Sequence, residues 1–215
     1  METYINKINY IEKLLLEDEI FLTREKLQEL KNIIIYDMAV KKCSRNNSKK
    51  EQLKNAKELL KNSIKVNKDR ILFHKIYKYD DTYQLCDGFT AVVLKNMIDG
   101  LELNTADGEY FDCKKFINSC NVNCGYEKIK IDMLELEQKA LAVKKSKTIT
   151  PPIEYQIHIN NLYFNPIYLL RAIKILGTEN VTVYVHKTYN KEPIYLKSGL
   201  GESVVLPLKP PENEK

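Results

Sequence analysis

The amino-acid sequence predicts an α+β fold, because an amphipathic helix followed by three strand-like segments occurs twice. The two copies lie at about residues 46–96 and 153–209, and a less regular segment joins them. An antiparallel meander with one helix buries one face of its sheet under that helix, so two such halves packed together form one α+β domain over residues 46–215. Residues 1–45 carry apolar side chains at helical spacing and are predicted to be a separate N-terminal helical segment.

The first half opens with a helix predicted over residues 49–66, whose apolar stripe consists of Leu53, Ala56, Leu60 and Ile64. The preceding segment, residues 43–48, is polar and contains two adjacent asparagines, which predicts a loop. Three strands are then predicted over residues 71–79, 82–86 and 89–95. Asp80-Asp81 and Asp87-Gly88 separate these strands and favour tight turns, so the three strands form a meander.

The second half opens at Asn165, a helix-capping residue, which is followed by Pro166 at the first helical position. Gly177 is placed to end this helix in the left-handed conformation. Three strands are predicted after it, over residues 181–186, 193–197 and 203–208. Between the halves, residues 130–146 have helical composition and spacing, and residues 154–164 predict a strand with a turn at Asn160-Asn161.

Composition and charge exclude several classes of protein. The apolar fraction of 44% excludes wholesale disorder, and no apolar run approaches the roughly 20 residues of a membrane helix. The N-terminus lacks the continuous apolar core of a signal peptide, and the five cysteines include no CxxC pair. We therefore expect a cytoplasmic protein rather than a secreted disulfide scaffold. The net charge of +5 permits a nucleic-acid partner without requiring one.

No motif for catalysis or cofactor binding occurs in the chain. It contains no GxSxG, Walker, HExxH or dinucleotide-binding pattern, so we expect a protein that is not an enzyme and needs no cofactor. Cys113, Cys120 and Cys124 lie close together in sequence, but no histidine is nearby to complete a zinc site. These cysteines are therefore interpreted as free or buried thiols rather than as metal ligands.

The clearest charge pattern is a row of lysines on the helix predicted at residues 49–66. At about 100° per residue, five side chains fall within one narrow stripe, called here the lysine stripe: Lys50, Lys54, Lys57, Lys61 and Lys65. Such a row can bind DNA phosphates with counterion release and without reading the base sequence. The alternative is a solvated lysine face without a ligand, which a Lys-rich composition produces readily.

Three short segments resemble bacterial sliding clamps, the ring-shaped DNA polymerase III beta subunits. Residues 164–174 (FNPIYLLRAIK) are similar to the helix entry F-N-x-x-Y-L-L-x-A-L-K of the last clamp domain. Residues 203–209 (SVVLPLK) resemble the closing strand of that domain, and residues 85–91 (LCDGFTA) resemble the A-T-D-G-x-R-L segment of a clamp domain. A clamp domain is itself a duplicated helix-plus-meander unit. The resemblance, over about residues 46–210, therefore implies the architecture that the repeated pattern predicts independently.

The resemblance implies a processivity factor of DNA replication, of a kind expected from a phage or mobile element. Basic helices of this family face duplex DNA, which adds Arg171 and Lys174 of the second helix to the lysine stripe as DNA-binding residues. The family also captures short linear motifs of replication proteins in a cleft, whose counterparts here are Gly88, Phe89, Thr90, Ala91, Val204, Leu206 and Pro207. The alternative for Val204 and Leu206 is that they fill the core under the sheet.

Two departures from the family bear on this expectation. A bacterial clamp subunit has three such domains, whereas this chain has room for one, so ring closure would need a homo-oligomer of six subunits. Thr90 stands where the family has arginine, and Lys209-Pro210 replaces the terminal Arg-Leu. The rival interpretation is a clamp-fold protein-interaction module or regulator that does not encircle DNA.

Overall fold

The structure is a computed structural model that describes residues 20–66, 69, 73, 75–104, 110–120, 125–146, 150–160, 162–187 and 192–208. The chain divides into two compact units, Met1–Asn47 and Ser48–Lys215. The described residues of the first unit are helical. Those of the second unit form an α+β domain, and every strand of the described residues lies in it. Among the described helices, none combines the length and apolar character needed to cross a bilayer.

Helix α1 (Ile20–Val66) is continuous through the segment where the sequence predicts a loop. Residues 43–48 contain neither proline nor glycine. Their polar side chains cost a helix at most about 0.7 kcal/mol each relative to alanine. The predicted loop at residues 43–48 is therefore wrong, and residues 49–66 are the last part of a longer helix. Within the predicted N-terminal segment, residues 20–45 are helical, and residues 1–19 lie outside the described residues.

The strands of the described residues form one eight-stranded sheet and one separate hairpin. They are β1 (Ile76–Tyr79), β2 (Thr82–Cys86), β3 (Thr90–Leu94), β4 (Leu103–Asn104), β5 (Tyr126–Ile129), β6 (Ile157–Ile159), β7 (Leu162–Phe164), β8 (Thr182–His186), β9 (Ile194–Lys197) and β10 (Gly201–Val205). The order in the large sheet is β4-β1-β2-β3-β10-β9-β8-β5. Its neighbours pair antiparallel, except that β4 pairs parallel with β1.

Both predicted meanders are present, as β1-β2-β3 and β8-β9-β10, and they join where β3 pairs with β10. β10 ends at Val205 rather than at residue 208, because Pro207 has no N–H to continue the ladder. The strand predicted over residues 154–164 is instead a 3₁₀ turn, Ile153–Tyr155, followed by the β6–β7 hairpin. The turn predicted at Asn160 is confirmed, and its φ of 47° is one that asparagine tolerates.

Three further helices lie in the second unit, α2 (Cys113–Ser119), α3 (Met133–Ser146) and α4 (Pro166–Ile175). The predicted cap of α4 is confirmed, because the Asn165 side chain accepts a hydrogen bond from the Ile167 N–H at 3.0 Å. Gly177 follows this helix at φ 81°, as predicted. α3 lies within the segment predicted to be helical, whereas α2 was not predicted.

Alternation along the strands gives the large sheet two buried faces. One face packs under α1, α3 and α4, and its strand residues include Leu85, Val92, Leu94, Val183, Ile194, Leu196 and Val205. The other face packs under α2, and its strand residues include Cys86, Ala91, Val93, Tyr195 and Val204. The last part of α1 is therefore one of three helices on a single face of the sheet, and this placement positions the lysine stripe.

Candidate functional site

The lysine stripe lies on the exposed side of α1, within the second unit. All five of its side chains are exposed: Lys50, Lys54, Lys57, Lys61 and Lys65. On the other side of the helix, Ala56, Leu59 and Ser63 are fully buried. The Ser63 hydroxyl donates a hydrogen bond to the Phe73 carbonyl at 2.6 Å. The helix is thus held to the domain by its buried side while the stripe faces solvent.

Two acidic side chains near the stripe are engaged with other cations. Glu58 of α1 lies 3.7 Å from the Lys144 ammonium of α3, and Asp99 lies 3.6 Å from the ammonium of Lys49. Among the described residues, no carboxylate comes within 4.0 Å of an ammonium group of the stripe. Five like charges without such partners make a favourable surface for a polyanion.

Arg171, the first DNA-binding residue predicted on the second helix, lies inside the domain. Its side chain is 8% exposed, and its Nη1 lies 3.4 Å from the carboxylate of Asp87, which is itself fully buried. The same carboxylate accepts a hydrogen bond from the Asn62 amide at 3.0 Å. Arg171 is therefore not available for the DNA contact that the sequence predicts, and it neutralises a buried charge instead.

The Asp87-Gly88 turn joins β2 to β3, as predicted. Oδ1 of Asp87 accepts hydrogen bonds from the N–H groups of Phe89 at 3.0 Å and Thr90 at 2.8 Å, and Gly88 adopts φ 86°. Burial raises the pKa of the Asp87 carboxyl above its usual value, although these hydrogen bonds, the Asn62 amide and the charge of Arg171 oppose the shift. The turn is thus built around a buried titratable group.

Lys174, the second residue predicted on this helix, is enclosed between helices. Its ammonium lies 2.7 Å from the Glu51 carboxylate of α1 and 2.9 Å from the Glu137 carboxylate of α3, and 17% of its side chain is exposed. Burial alone would lower the pKa of Lys174, but the two carboxylates outweigh burial and raise it. No residue of α4 is exposed, because α3 packs against it. The second helix therefore does not present the DNA-facing surface that the resemblance implies.

The predicted cleft residues come together at one end of the β3–β10 pair. Val204 pairs with Ala91, and the Leu206 N–H donates to the Phe89 carbonyl at 2.8 Å. The buried members are Thr90, Ala91 and Val204, and the half-buried members are Gly88, Phe89, Leu206 and Pro207. Only the half-buried members can meet a partner. The interpretation as core residues therefore applies to Val204 and not to Leu206.

One of these accessible cleft residues, Phe89, belongs to an aromatic pair. The ring of Phe89 stacks on that of Tyr168, with centroids 5.1 Å apart and planes 12° apart. Beyond Leu206, the chain is held by the Leu208 N–H, which donates to the Tyr163 carbonyl at 2.7 Å. Half-buried aromatic and aliphatic side chains in fixed positions suit the capture of apolar peptide side chains.

The cysteines do not form a metal centre in the described part of the chain, where no group of three or more potential ligands occurs. Cys113 is buried and Cys120 is half-buried, while Cys124 lies outside the described residues. A hydrogen bond with the Cys86 thiol and burial raise the pKa of Cys113 well above its usual range. The Cys113 thiol therefore stays protonated at neutral pH.

Two features of this region were not predicted from the sequence. The Asp87–Arg171 ion pair joins residues 84 positions apart, beyond any local pattern. The sequence predicts Ile64 on the buried stripe of its helix, yet Ile64 is 51% exposed. The buried side of α1 is centred on Leu59 instead, so Ile64 lies at the edge of the lysine stripe. The position of Ile64 next to the lysine stripe is the sequence signal that could have indicated an exposed apolar surface on this side of α1.

Comparison with known proteins identified no relative of this chain. No protein-family model matches the chain, and no curated protein and no solved structure matches it.

Proposed function

We propose that this chain is a non-catalytic, sliding-clamp-like accessory protein of DNA replication, a cytoplasmic processivity factor of phage or mobile-element type. It binds duplex DNA without sequence preference through the lysine stripe and holds replication proteins by short linear motifs at Phe89, Leu206 and Pro207. The observation that carries the proposal is the exposed lysine stripe on a helix that packs over two joined meanders. Retention on DNA raises the effective concentration of a bound polymerase at its template.

The DNA-binding part predicts a loss of affinity on charge reversal within the stripe. In the triple variant Lys54→Glu, Lys57→Glu and Lys61→Glu, we expect roughly hundredfold weaker binding to a short duplex and a salt-dependence slope lower by about 2.7, or 0.9 per lost phosphate contact. Fluorescence anisotropy over a series of salt concentrations measures both quantities. All three side chains are exposed, so the fold should be unaffected.

The matched control carries the same change of net charge on exposed strand residues, Lys78→Glu, Lys128→Glu and Lys197→Glu. We expect this control to lose far less affinity than the stripe variant. Equal losses in the two triple variants would mean that only overall charge matters. Wild-type affinity in the stripe variant would identify the stripe as a solvated face.

A second candidate function is a clamp-fold protein-interaction module or regulator that does not encircle DNA. This function is favoured by α4, whose Arg171 and Lys174 are engaged within the domain. Of the two helices predicted to face DNA, only α1 then presents its basic side chains to solvent. Retention on nicked circular DNA distinguishes the two functions. An encircling homo-oligomer remains on the circle in high salt and leaves when the circle is linearised, whereas a module held by charge alone leaves both forms in high salt.

The cleft predicts that Leu206→Asp abolishes the binding of a labelled clamp-binding peptide from a replicative polymerase. The substitution places a charge at a half-buried position whose backbone N–H pairs with the Phe89 carbonyl, where an apolar anchor would bind. Leu141→Asp on α3, at a leucine that is 53% exposed, is the matched control and should bind as wild type does. Unchanged binding in a folded Leu206→Asp variant, as judged by circular dichroism, would reject the cleft.

A further inference from the structure

A groove lies beside the lysine stripe, between the last turns of α1 and the segment that leads into β4. Its volume is about 490 Å³, which is within the usual range for ligand pockets. The side chains that line it are Lys57, Leu60, Lys61, Ile64, Leu101 and Leu103, together with Lys75 and Glu102. All of these residues belong to the second unit.

Four apolar side chains line this groove and are partly open to solvent. Ile64 of α1 is 51% exposed and Leu103 of β4 is 38% exposed, and Leu60 and Leu101 are half-buried. Single exposed apolar side chains are common, but four that converge in one concavity indicate a contact surface.

The wall opposite α1 is held in place by backbone hydrogen bonding. Leu103 belongs to β4 and pairs with Ile76 of β1, and the Leu101 N–H donates to the Ile98 carbonyl at 3.3 Å. The groove is therefore formed before a ligand arrives, which lowers the ordering cost of binding.

The charge around the groove selects the class of ligand. Three lysines and one glutamate line it, and the two stripe lysines, Lys57 and Lys61, supply the positive charge that matters here. Lys57 and Lys61 are exposed and have no carboxylate within 4.0 Å among the described residues. A peptide with Asp or Glu flanking bulky apolar side chains would match both the charges and the floor.

We propose that this groove binds an acidic amphipathic peptide segment of a partner protein. Apolar anchors of the segment fill the space between Ile64 and Leu103, and its carboxylates face Lys57 and Lys61. Single-stranded nucleic acid fits the groove less well, because the described residues that line it include no aromatic ring on which a base could stack. Since Lys57 and Lys61 also belong to the lysine stripe, a bound peptide and duplex DNA would compete.

The test uses a labelled peptide of about 12 residues, with leucines at i, i+3, i+4 and i+7 and glutamates elsewhere. We expect it to bind the full chain in fluorescence anisotropy, and to bind about tenfold more weakly to the double variant Ile64→Ser and Leu103→Ser. Both replaced side chains are partly exposed, so the fold is retained. Leu141→Ser, on the exposed side of α3, is the matched control and should bind normally.

The outcomes separate this proposal from the DNA-binding function. Peptide binding that Ile64→Ser and Leu103→Ser weaken, with duplex binding unchanged in the same variant, supports the groove even if the lysine stripe proves to bind no DNA. The groove proposal is overturned if a scrambled peptide of the same composition binds equally well. It is also overturned if the double variant weakens duplex and peptide binding equally, because the groove would then be part of the DNA surface.

Discussion

Replacing Asp87 by asparagine is expected to lower the free energy of unfolding by about 3–5 kcal/mol, because the buried Arg171 guanidinium loses its counter-charge. The new side chain keeps one oxygen for the N–H groups of Phe89 and Thr90. Its NH₂ group, however, faces two donors, the Asn62 amide and Arg171, where the carboxylate accepted from both. Urea unfolding followed by circular dichroism measures the change.

Asp81→Asn provides the matched control for this substitution. Asp81 is exposed in the preceding turn, so we expect its replacement to change the free energy of unfolding by no more than about 0.5 kcal/mol. A similarly small effect of Asp87→Asn would contradict the buried ion pair.

A double-mutant cycle with Arg171→Leu isolates the pair itself. In the double variant no guanidinium remains to face the new amide, and the Asn62 amide can rotate to present its oxygen. We therefore expect the double variant to cost about 2 kcal/mol less than the sum of the two single variants. Additivity within about 0.5 kcal/mol would show that Asp87 and Arg171 do not interact.

The pH dependence of the cycle has a defined sign. Because burial raises the pKa of Asp87 above its unfolded value of 3.8, the contribution of this group to stability is full below that value and is lost as pH rises through the folded pKa. Arg171→Leu removes a charge that holds this pKa down, so its destabilisation should be smaller at about pH 5 than at about pH 7.5. A constant cost across this range would mean that Asp87 does not titrate there.

Local chemistry explains which elements could be predicted from the sequence. The Asp87-Gly88 turn and the Asn165 cap rest on interactions within three residues, so their sequence signals are complete. The lysine stripe is equally local, because helical spacing alone determines which side chains share a face. By contrast, β4 has only two residues, and β5 is the charged segment YEKI, which exists as a strand through its pairing with β8.

The burial of α4 could not be predicted, because the residues that contact this helix are distant from it in sequence. Lys174 contacts Glu51 and Glu137, and Arg171 contacts Asp87, so three separate segments of the chain surround α4. Periodicity places a side chain on a face of its helix, but it cannot say whether another helix covers that face. In this protein α3, which lies between the two halves in sequence, packs against α4 and covers it.

Replacing Gly201 by alanine is expected to destabilise the second unit by about 3 kcal/mol, at the junction that joins the two meanders. A Cβ at this position would collide with the Val93 carbonyl oxygen of β3 and would lie 3.0 Å from the Leu94 Cα. Both atoms are backbone, so no change of rotamer relieves the contact, and β10 must move away from β3. Urea unfolding measures the loss.

The matched control is Gly199→Ala in the turn that precedes β10. A Cβ on Gly199 meets no atom within 4 Å. We therefore expect this variant to be unchanged or more stable by up to about 1 kcal/mol, through the reduced entropy of its unfolded chain. Hydrogen exchange of the Lys95 N–H, which donates to the Leu200 carbonyl at 2.9 Å, reports on the junction directly and should speed up only in Gly201→Ala. Equal stability and equal exchange in the two variants would contradict the pairing of Gly201 with Leu94, and with it the joining of the two halves into one sheet.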